Sequence, residues 1–286
     1  CQGYNTNGQL GENSYSQRNT PYEIYGFNEP LTSISTGNEH TCGINENGEL
    51  YCWGLNSYGQ IGNGYNHYTY KYSAPQKISI DSSSNQLPPA LQISTGYQHS
   101  CGIFEDSNLY CWGYNGQGQL GLGDTTLRNR PMIVQTPGDD LFTDISLGYS
   151  HSCGIIKNGS VYCWGHNNYG QLGDSTTDNS NVPIYSHLPS GSKAVAISSG
   201  NNHNCAILDN SSVYCWGYNQ HSQLGNGNQT NMKVPVHVNL PLGSNPVQIS
   251  SSITHTCAVM DNGSMYCWGH NDYGQVEGLI TENLGN

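Results

Sequence analysis

Charge is scarce in this chain. Of its 286 residues only 10% are charged, 8 Lys plus Arg against 20 Asp plus Glu, where a globular protein usually carries about 25%. A net charge of -12 with no basic run excludes a surface built for nucleic-acid phosphates or anionic membranes. Long apolar runs are missing too: none approaches the roughly 18 residues of a membrane helix, so no membrane insertion is expected. No signal peptide is visible, although the sequence starts abruptly at Cys1, which is compatible with a cleaved one. Apolar residues at helical spacing are also absent, which argues against an α-rich fold. There is no CxxC pair, no HExxH motif, no P-loop and no nucleophile elbow. Neither a metal site, nor a cofactor, nor enzyme activity is therefore expected. Asn, Ser, Thr, Gln and 21 Tyr remain to cover the surface. Such side chains suit hydrogen bonding to neighbouring proteins, to sugars or to water.

What is present is a repeat. The block CWGLNSYGQIG from Cys52 returns as CWGYNGQGQLG from Cys111, CWGHNNYGQLG from Cys163, CWGYNQHSQLG from Cys215 and CWGHNDYGQV from Cys267. Residues 1–11, CQGYNTNGQLG, are a sixth copy in which Gln2 stands for Trp. From Cys1 onward the copies are spaced by 51, 59, 52, 52 and 52 residues, and the long interval holds an insertion after Gly64. A second block precedes each full copy, as in ISTGNEHTC and ISLGYSHSC; a third, with Pro before a β-branched run, follows it. Each period of about 50 residues therefore offers four short β-prone runs separated by Gly, Asn, Ser or Pro, the pattern of an all-β propeller with four-stranded blades.

The stretch HTCGINENGELYCWG, residues 40–54, predicts a hairpin. A three-residue loop at 46–48 with Gly48 left-handed sets Ile44 opposite Leu50, Gly43 opposite Tyr51 and Cys42 opposite Cys52. Directly opposed residues are close enough to form a disulfide. The same count pairs Cys101 with Cys111, Cys153 with Cys163, Cys205 with Cys215, and Cys257 with Cys267. Buried reduced cysteines are the rival reading. If the bonds form, they imply an oxidising compartment, extracellular or at the cell surface, and each short loop gains roughly 2–3 kcal/mol.

The pattern I-x-x-G-x-x-H-x-C, then a turn, then Y-C-W-G-x-N-x-x-G-Q-L-G, resembles the RCC1 repeat across essentially the whole chain. The resemblance implies an RCC1-like β-propeller, typically seven-bladed when complete. This sequence would supply about five and a half repeats, near 1–34, 35–93, 94–145, 146–197, 198–249 and 250–286, as a single propeller or a segment of one. Function does not follow, because the family includes a nuclear nucleotide-exchange factor, bacterial β-lactamase inhibitors and interaction scaffolds. The paired cysteines depart from the nuclear members and speak against an intracellular exchange role. Cys1 matches the second cysteine of a unit, so its partner is expected outside the sequence, upstream in the same polypeptide. Lipidation or a bond to another chain are the alternatives. The strand at 1–11 lacks its H-x-C complement, and its backbone is expected to pair with an upstream segment or a neighbouring chain.

The candidate sites divide by position. His40, His99, His151, His203 and His255 occupy one place in successive units, too far apart for a catalytic group, and are read as a repeated structural hydrogen bond. Trp53, Trp112, Trp164, Trp216 and Trp268 are read as blade packing rather than as a sugar platform. Asp124 and Asp174 show no partner in the sequence. Asn158, Asn210 and Asn262 head sequons at equivalent hairpin tips, with Asn228 in a loop as a fourth; they are candidate N-glycosylation acceptors. Asn-Gly as ordinary turn chemistry is the competing explanation. Residues 65–72, YNHYTYKY, bring Tyr65, Tyr68, Tyr70 and Tyr72 into one variable loop, where repeat proteins place binding. Altogether the sequence points to a non-enzymatic, secreted structural or protein-interaction module, with a protein partner or self-assembly. A binder of one discrete target, a carbohydrate or an enzyme it inhibits, is the alternative.

Overall fold

The computed structural model describes residues 1–67, 69–80, 87–136, 138 and 140–276. Among them the regular structure is strand, apart from one 3-10 residue at 138. The chain divides into two compact units, Cys1–Thr136 and Pro137–Asn286.

The first unit holds two four-stranded antiparallel sheets, each a meander. One runs β1 (Leu31–Thr36), β2 (His40–Asn45), β3 (Leu50–Leu55), β4 (Lys71–Lys77). The other runs β5 (Ala90–Thr95), β6 (His99–Phe104), β7 (Leu109–Gly113), β8 (Arg128–Ile133). In the second unit, β9 (Phe142–Leu147) to β12 (Ser180–Tyr185) pass through β10 (His151–Ile156) and β11 (Val161–Gly165). Next come β13 (Ala194–Ser199), β14 (His203–Leu208), β15 (Val213–Gly217) and β16 (Met232–His237). A three-stranded sheet follows: β17 (Pro246–Ser251), β18 (His255–Met260) and β19 (Met265–Gly269). Within each unit the first strands of neighbouring sheets adjoin: Ser35 Oγ lies 2.8 Å from Thr95 Oγ1, and Ser251 N donates to Ser198 Oγ at 2.8 Å.

The central hairpin has the register its sequence requires. Cys42 faces Cys52, Gly43 faces Tyr51 and Ile44 faces Leu50, with Gly48 at φ 73°. All five cysteine pairs fall opposite one another, with Cα atoms 4.1 Å apart and sulfurs at bonding distance. The glycine of each CWG ends this pairing for a physical reason. Gly54 has φ 106°, and a Cβ there would sit 2.5 Å from Glu39 O and 2.7 Å from His40 Cα. No L side chain fits, so β3 swerves at Gly54 and the register to β4 shifts.

The insertion in the first full repeat is divided. Gly54 pairs with Tyr72, eighteen positions on, whereas Gly113, Gly165 and Gly217 pair fifteen positions on. Three of the seven extra residues thus precede Tyr72, and four follow Lys77 before β5. Tyr72 belongs to β4 rather than to the loop, and its ring packs against the core formed by Ile44, Leu50 and Trp112.

Residues 1–22 fold back on themselves. Gly3 and Arg18 exchange backbone hydrogen bonds at 2.8 and 3.0 Å, and so do Cys1 and Tyr22 at 2.8 and 2.9 Å. Gly3–Arg18 is the counterpart of Gly54–Tyr72. The expectation that this strand must find its partner outside the sequence is therefore corrected on one side: the segment after GQLG returns in the fourth-strand position.

Candidate functional site

The repeated side chains are spent on joining one sheet to the next. Trp112 is wholly buried, and its Nε1 donates to Gln60 O of the preceding repeat at 2.9 Å. Ser100 Oγ donates to the same carbonyl at 3.0 Å, and His40 Nε2 lies 2.9 Å from Ser100 Oγ. The motif recurs in the second unit. Trp216 Nε1 and Asn204 Nδ2 converge on Gln171 O, with His151 Nε2 at 2.9 Å from Asn204 Oδ1. Trp268 Nε1 and Thr256 Oγ1 converge on Gln223 O, with His203 Nε2 at 2.9 Å from Thr256 Oγ1. Residues 1–11 use it too, because Trp53 Nε1 and Thr41 Oγ1 both donate to Gln9 O.

The clasp fixes the histidine tautomer. Ser100 and Thr256 have each spent their single hydroxyl proton on a carbonyl, and Asn204 offers only its oxygen. His40, His151 and His203 must therefore donate from Nε2, leaving Nδ1 unprotonated. Those Nδ1 atoms are buried with no hydrogen-bond partner. Burial holds His40 and His203 down to about 3, and His151 down to about 4, against an ordinary 6.5. The imidazoles are neutral structural pins.

The Gly of GQLG completes each clasp. Gly62 has φ 84°, and a Cβ there would lie 2.8 Å from Trp112 Nε1. The Asn of CWG-x-N closes the loop before it. Asn115 Oδ1 accepts from Leu120 N at 3.0 Å, while its Nδ2 donates to Asp124 O and Thr126 O, both at 3.0 Å. Asp124 has partners after all: it accepts from Arg128 Nη2 at 2.6 Å and from Thr126 N at 2.9 Å. Asp174 likewise accepts from Thr176 Oγ1 at 2.7 Å. Among the described residues no group of three or more His, Cys, Asp or Glu could hold a metal ion.

With these motifs assigned to the scaffold, the loops remain. Tyr65 is 60% exposed and Tyr70 44% exposed, and their rings meet edge to face at 6.4 Å. Tyr68 lies outside the described residues. Asn158, Asn210, Asn228 and Asn262 are all exposed. In each, Oδ1 accepts from the backbone N–H two residues on, at 2.8, 3.1, 2.9 and 2.9 Å.

One surface feature was not anticipated from the sequence. In the second unit a file of rings passes from blade to blade: His166, Tyr169, Tyr218, His221, His270, Tyr273. Successive centroids are 6.1, 4.9, 6.1, 4.7 and 6.1 Å apart. In the first unit Tyr58 and Tyr114 make the same contact at 5.0 Å. These rings occupy the residue after CWG and the one three positions later. That spacing is visible in the sequence, but it is hidden by the switching between Tyr and His.

Antiparallel four-stranded meanders, repeated and clasped through a central Trp, define a repeat β-propeller protein. An RCC1-like domain pattern matches residues 1–283. The chain belongs to the RCC1-like family. It is 31% identical over 275 residues to the ultraviolet-B receptor UVR8 of Arabidopsis thaliana, covering 96% of this chain and 61% of that protein. Among solved structures it is similar to human WBSCR16, with a TM-score of 0.79 and 22% identity over 89% of this chain and 65% of that one. It also resembles yeast RCC1 (Prp20) bound to Kap60, with a TM-score of 0.73 and 22% identity, covering 85% and 56% of the two chains. The chain thus spans less than two thirds of the length of these proteins. Five cysteine pairs at disulfide distance are consistent with an oxidising compartment.

Proposed function

We propose that this chain is a secreted, non-enzymatic interaction module. Its blades are stapled by five disulfides, and it docks a protein partner through the loop carrying Tyr65 and Tyr70. The observation that carries the compartment is the cysteine set. Five pairs share one spacing and one register, and the cysteines are almost all buried in hairpins that also carry the inter-blade Trp. A scaffold of hydrogen-bonded clasps with so few charges gains from covalent closure of each hairpin.

The docking surface rests on exposure and on what is not used elsewhere. Tyr65 and Tyr70 project large rings from a loop three residues longer than its counterparts, at little entropic cost on binding. Protein binding by yeast RCC1, which engages Kap60, supports the same use of the fold.

Peptide mapping of the native protein without reduction tests the first half. Five cross-linked hairpin peptides are expected, and free thiols at most of the ten positions would overturn it. A photo-reactive amino acid at position 65 or 70 tests the second half. Adducts to another polypeptide are expected there and not at the exposed control Tyr25. Equal labelling at all three positions would refute a specific surface.

A further inference from the structure

We infer that the hairpin tips of the second unit are glycan acceptors: Asn158, Asn210 and Asn262 carry N-linked oligosaccharides through Nδ2. This rests on the oxidising-compartment reading above and goes beyond it.

All five hairpins use the same turn, and the first unit shows what the turn itself needs. There, the position five residues after the first cysteine is Asn47 or Asp106, and two residues further on stand Glu49 and Asn108. Asp106 Oδ1 accepts from Asn108 N at 3.1 Å. In the other hairpin Glu49 N donates to Asn45 Oδ1 at 2.8 Å instead, so the turn accepts an oxygen from either place and asks only a backbone N–H of the residue two further on. In the second unit the first place is Asn three times and the second is Ser three times: Ser160, Ser212 and Ser264. A hydroxyl is not demanded by the turn, since Glu and Asn serve in the other unit.

The geometry of the three sites suits transfer. Asn158, Asn210 and Asn262 are exposed, and each Oδ1 faces inward onto the Ser backbone N–H. Ser212 Oγ and Ser264 Oγ also donate to the Asn oxygen, at 2.5 and 2.7 Å. The carbonyl end of each amide is thus anchored, and Nδ2 is the end left toward solvent. The donor is a polyprenyl-phosphate-linked oligosaccharide. The bond formed joins Nδ2 to the anomeric carbon, and the anomeric C–O bond to phosphate breaks. One amide proton is lost, and the lipid phosphate leaves. Beside Asn210 lies a groove of about 390 Å³ that includes Leu240, Pro241 and Leu242. Leu242 is fully exposed, and a glycan on Asn210 would cover it.

Position along the blade gives the modification a consequence. β10 runs toward its tip at 157–160, and β11 runs away from it to His166. The file of rings from His166 to Tyr273 therefore lies at the opposite end of the second unit's blades from the three acceptors. Sugars at the tips leave that ring-bearing end bare for contact.

Each acceptor lies between the two cysteines of its own hairpin, so one peptide reads both chemistries. Native protein is digested without reduction and the hairpin peptides are weighed. Cross-linked peptides carrying hexose and N-acetylhexosamine mass, or another oligosaccharide, at 158, 210 and 262 are expected. Variants N158D, N210D and N262D should each remove one increment and keep the fold, because Asp106 already serves this turn; S160A, S212A and S264A should lower occupancy with the Asn retained. Cross-linked but unmodified peptides overturn the glycan assignment and leave the compartment standing. Free thiols with unmodified Asn overturn both.

Discussion

Lowering the pH from 7 to 4.5 should strongly destabilise this protein through its inter-blade histidines. Each of His40, His151 and His203 is neutral and buried in the fold, and each would take a proton at an ordinary 6.5 once unfolded. The folded value is depressed, so the unfolded chain binds more protons throughout the window from 6.5 down to about 3. Stability therefore falls as pH falls through that window. At pH 4.5 the solution is about two units below the unfolded imidazole's pKa and the folded one still resists protonation, so each histidine costs a little under ~3 kcal/mol. Three together cost about 8 kcal/mol, a large part of the 5–15 kcal/mol that holds a typical domain. Carboxylates contribute little in this interval. Glu49, held at about 2 first by its hydrogen bond from Lys77, begins to lose its contribution only below its ordinary 4.5. Urea unfolding followed by tryptophan fluorescence at pH 7, 6, 5 and 4.5 measures the loss. H203N supplies the control: the amide keeps a donor toward Thr256 Oγ1 but does not titrate. It should be less stable than the parent at pH 7, yet lose about 3 kcal/mol less on acidification. An unchanged pH dependence in H203N would refute the buried neutral pin.

Further outcomes follow from the same geometry. G62A should destabilise by roughly 2 kcal/mol, since its Cβ meets Trp112 Nε1 and the backbone is left-handed; a denaturation midpoint equal to the parent's would contradict the clasp. Y65S with Y70S should leave Tm unchanged and weaken partner contact, whereas Y72S should cost about 2 kcal/mol with binding intact, because only Tyr72 packs on the core. The reverse result would move the docking surface into β4. Cys1 is exposed and has no partner among these residues, the odd member of eleven cysteines. It is expected to cross-link to a cysteine outside residues 1–286, and a free Cys1 thiol in the unreduced native protein would exclude that.

Much of the fold was legible because the repeat states it five times. The ten-residue spacing of Cys42 and Cys52, with Asn47-Gly48 between them, dictates a hairpin and its register. Recurrence of Trp and His at one place per unit points to one structural contact per blade, which is how His40, His151 and His203 are used. What the sequence could not show is which atom of the next blade each side chain meets. Gln60 acts through its backbone carbonyl, and a carbonyl leaves no mark in a sequence. The return of residues 18–22 beside Cys1 and Gly3 does leave a mark in the sequence: Pro21 stands eighteen positions after Gly3, as Pro131, Pro183 and Pro235 stand after the glycines of their own CWG motifs. Tyr65, Tyr70 and Tyr72 look alike in a string, so the sequence does not separate loop from strand there. The swerve at Gly54 is what puts Tyr72 in a strand against Leu50.

The file of rings is the instructive miss. At the residue after CWG the chain has Leu55, Tyr114, His166, Tyr218 and His270, which reads as drift. In space the position is constrained, because each of these rings in the second unit bears on the ring three ahead, and Tyr218 and His270 also bear on a ring of the preceding repeat. Tyr and His interchange there because both offer a flat, half-buried surface and a polar edge. Gln171 and Gln275 support the two histidines by lying 2.8 Å from Nδ1 of His166 and His270. In the second unit the position keeps a ring while its type changes, whereas the Trp and His below it each make a fixed hydrogen bond. The boundary between buried scaffold and surface ring therefore falls within the CWG-x-N-x-x-G-Q motif itself, as where buried Asn167 and Gln171 close the loop and half-buried His166 and Tyr169 stand on either side of Asn167.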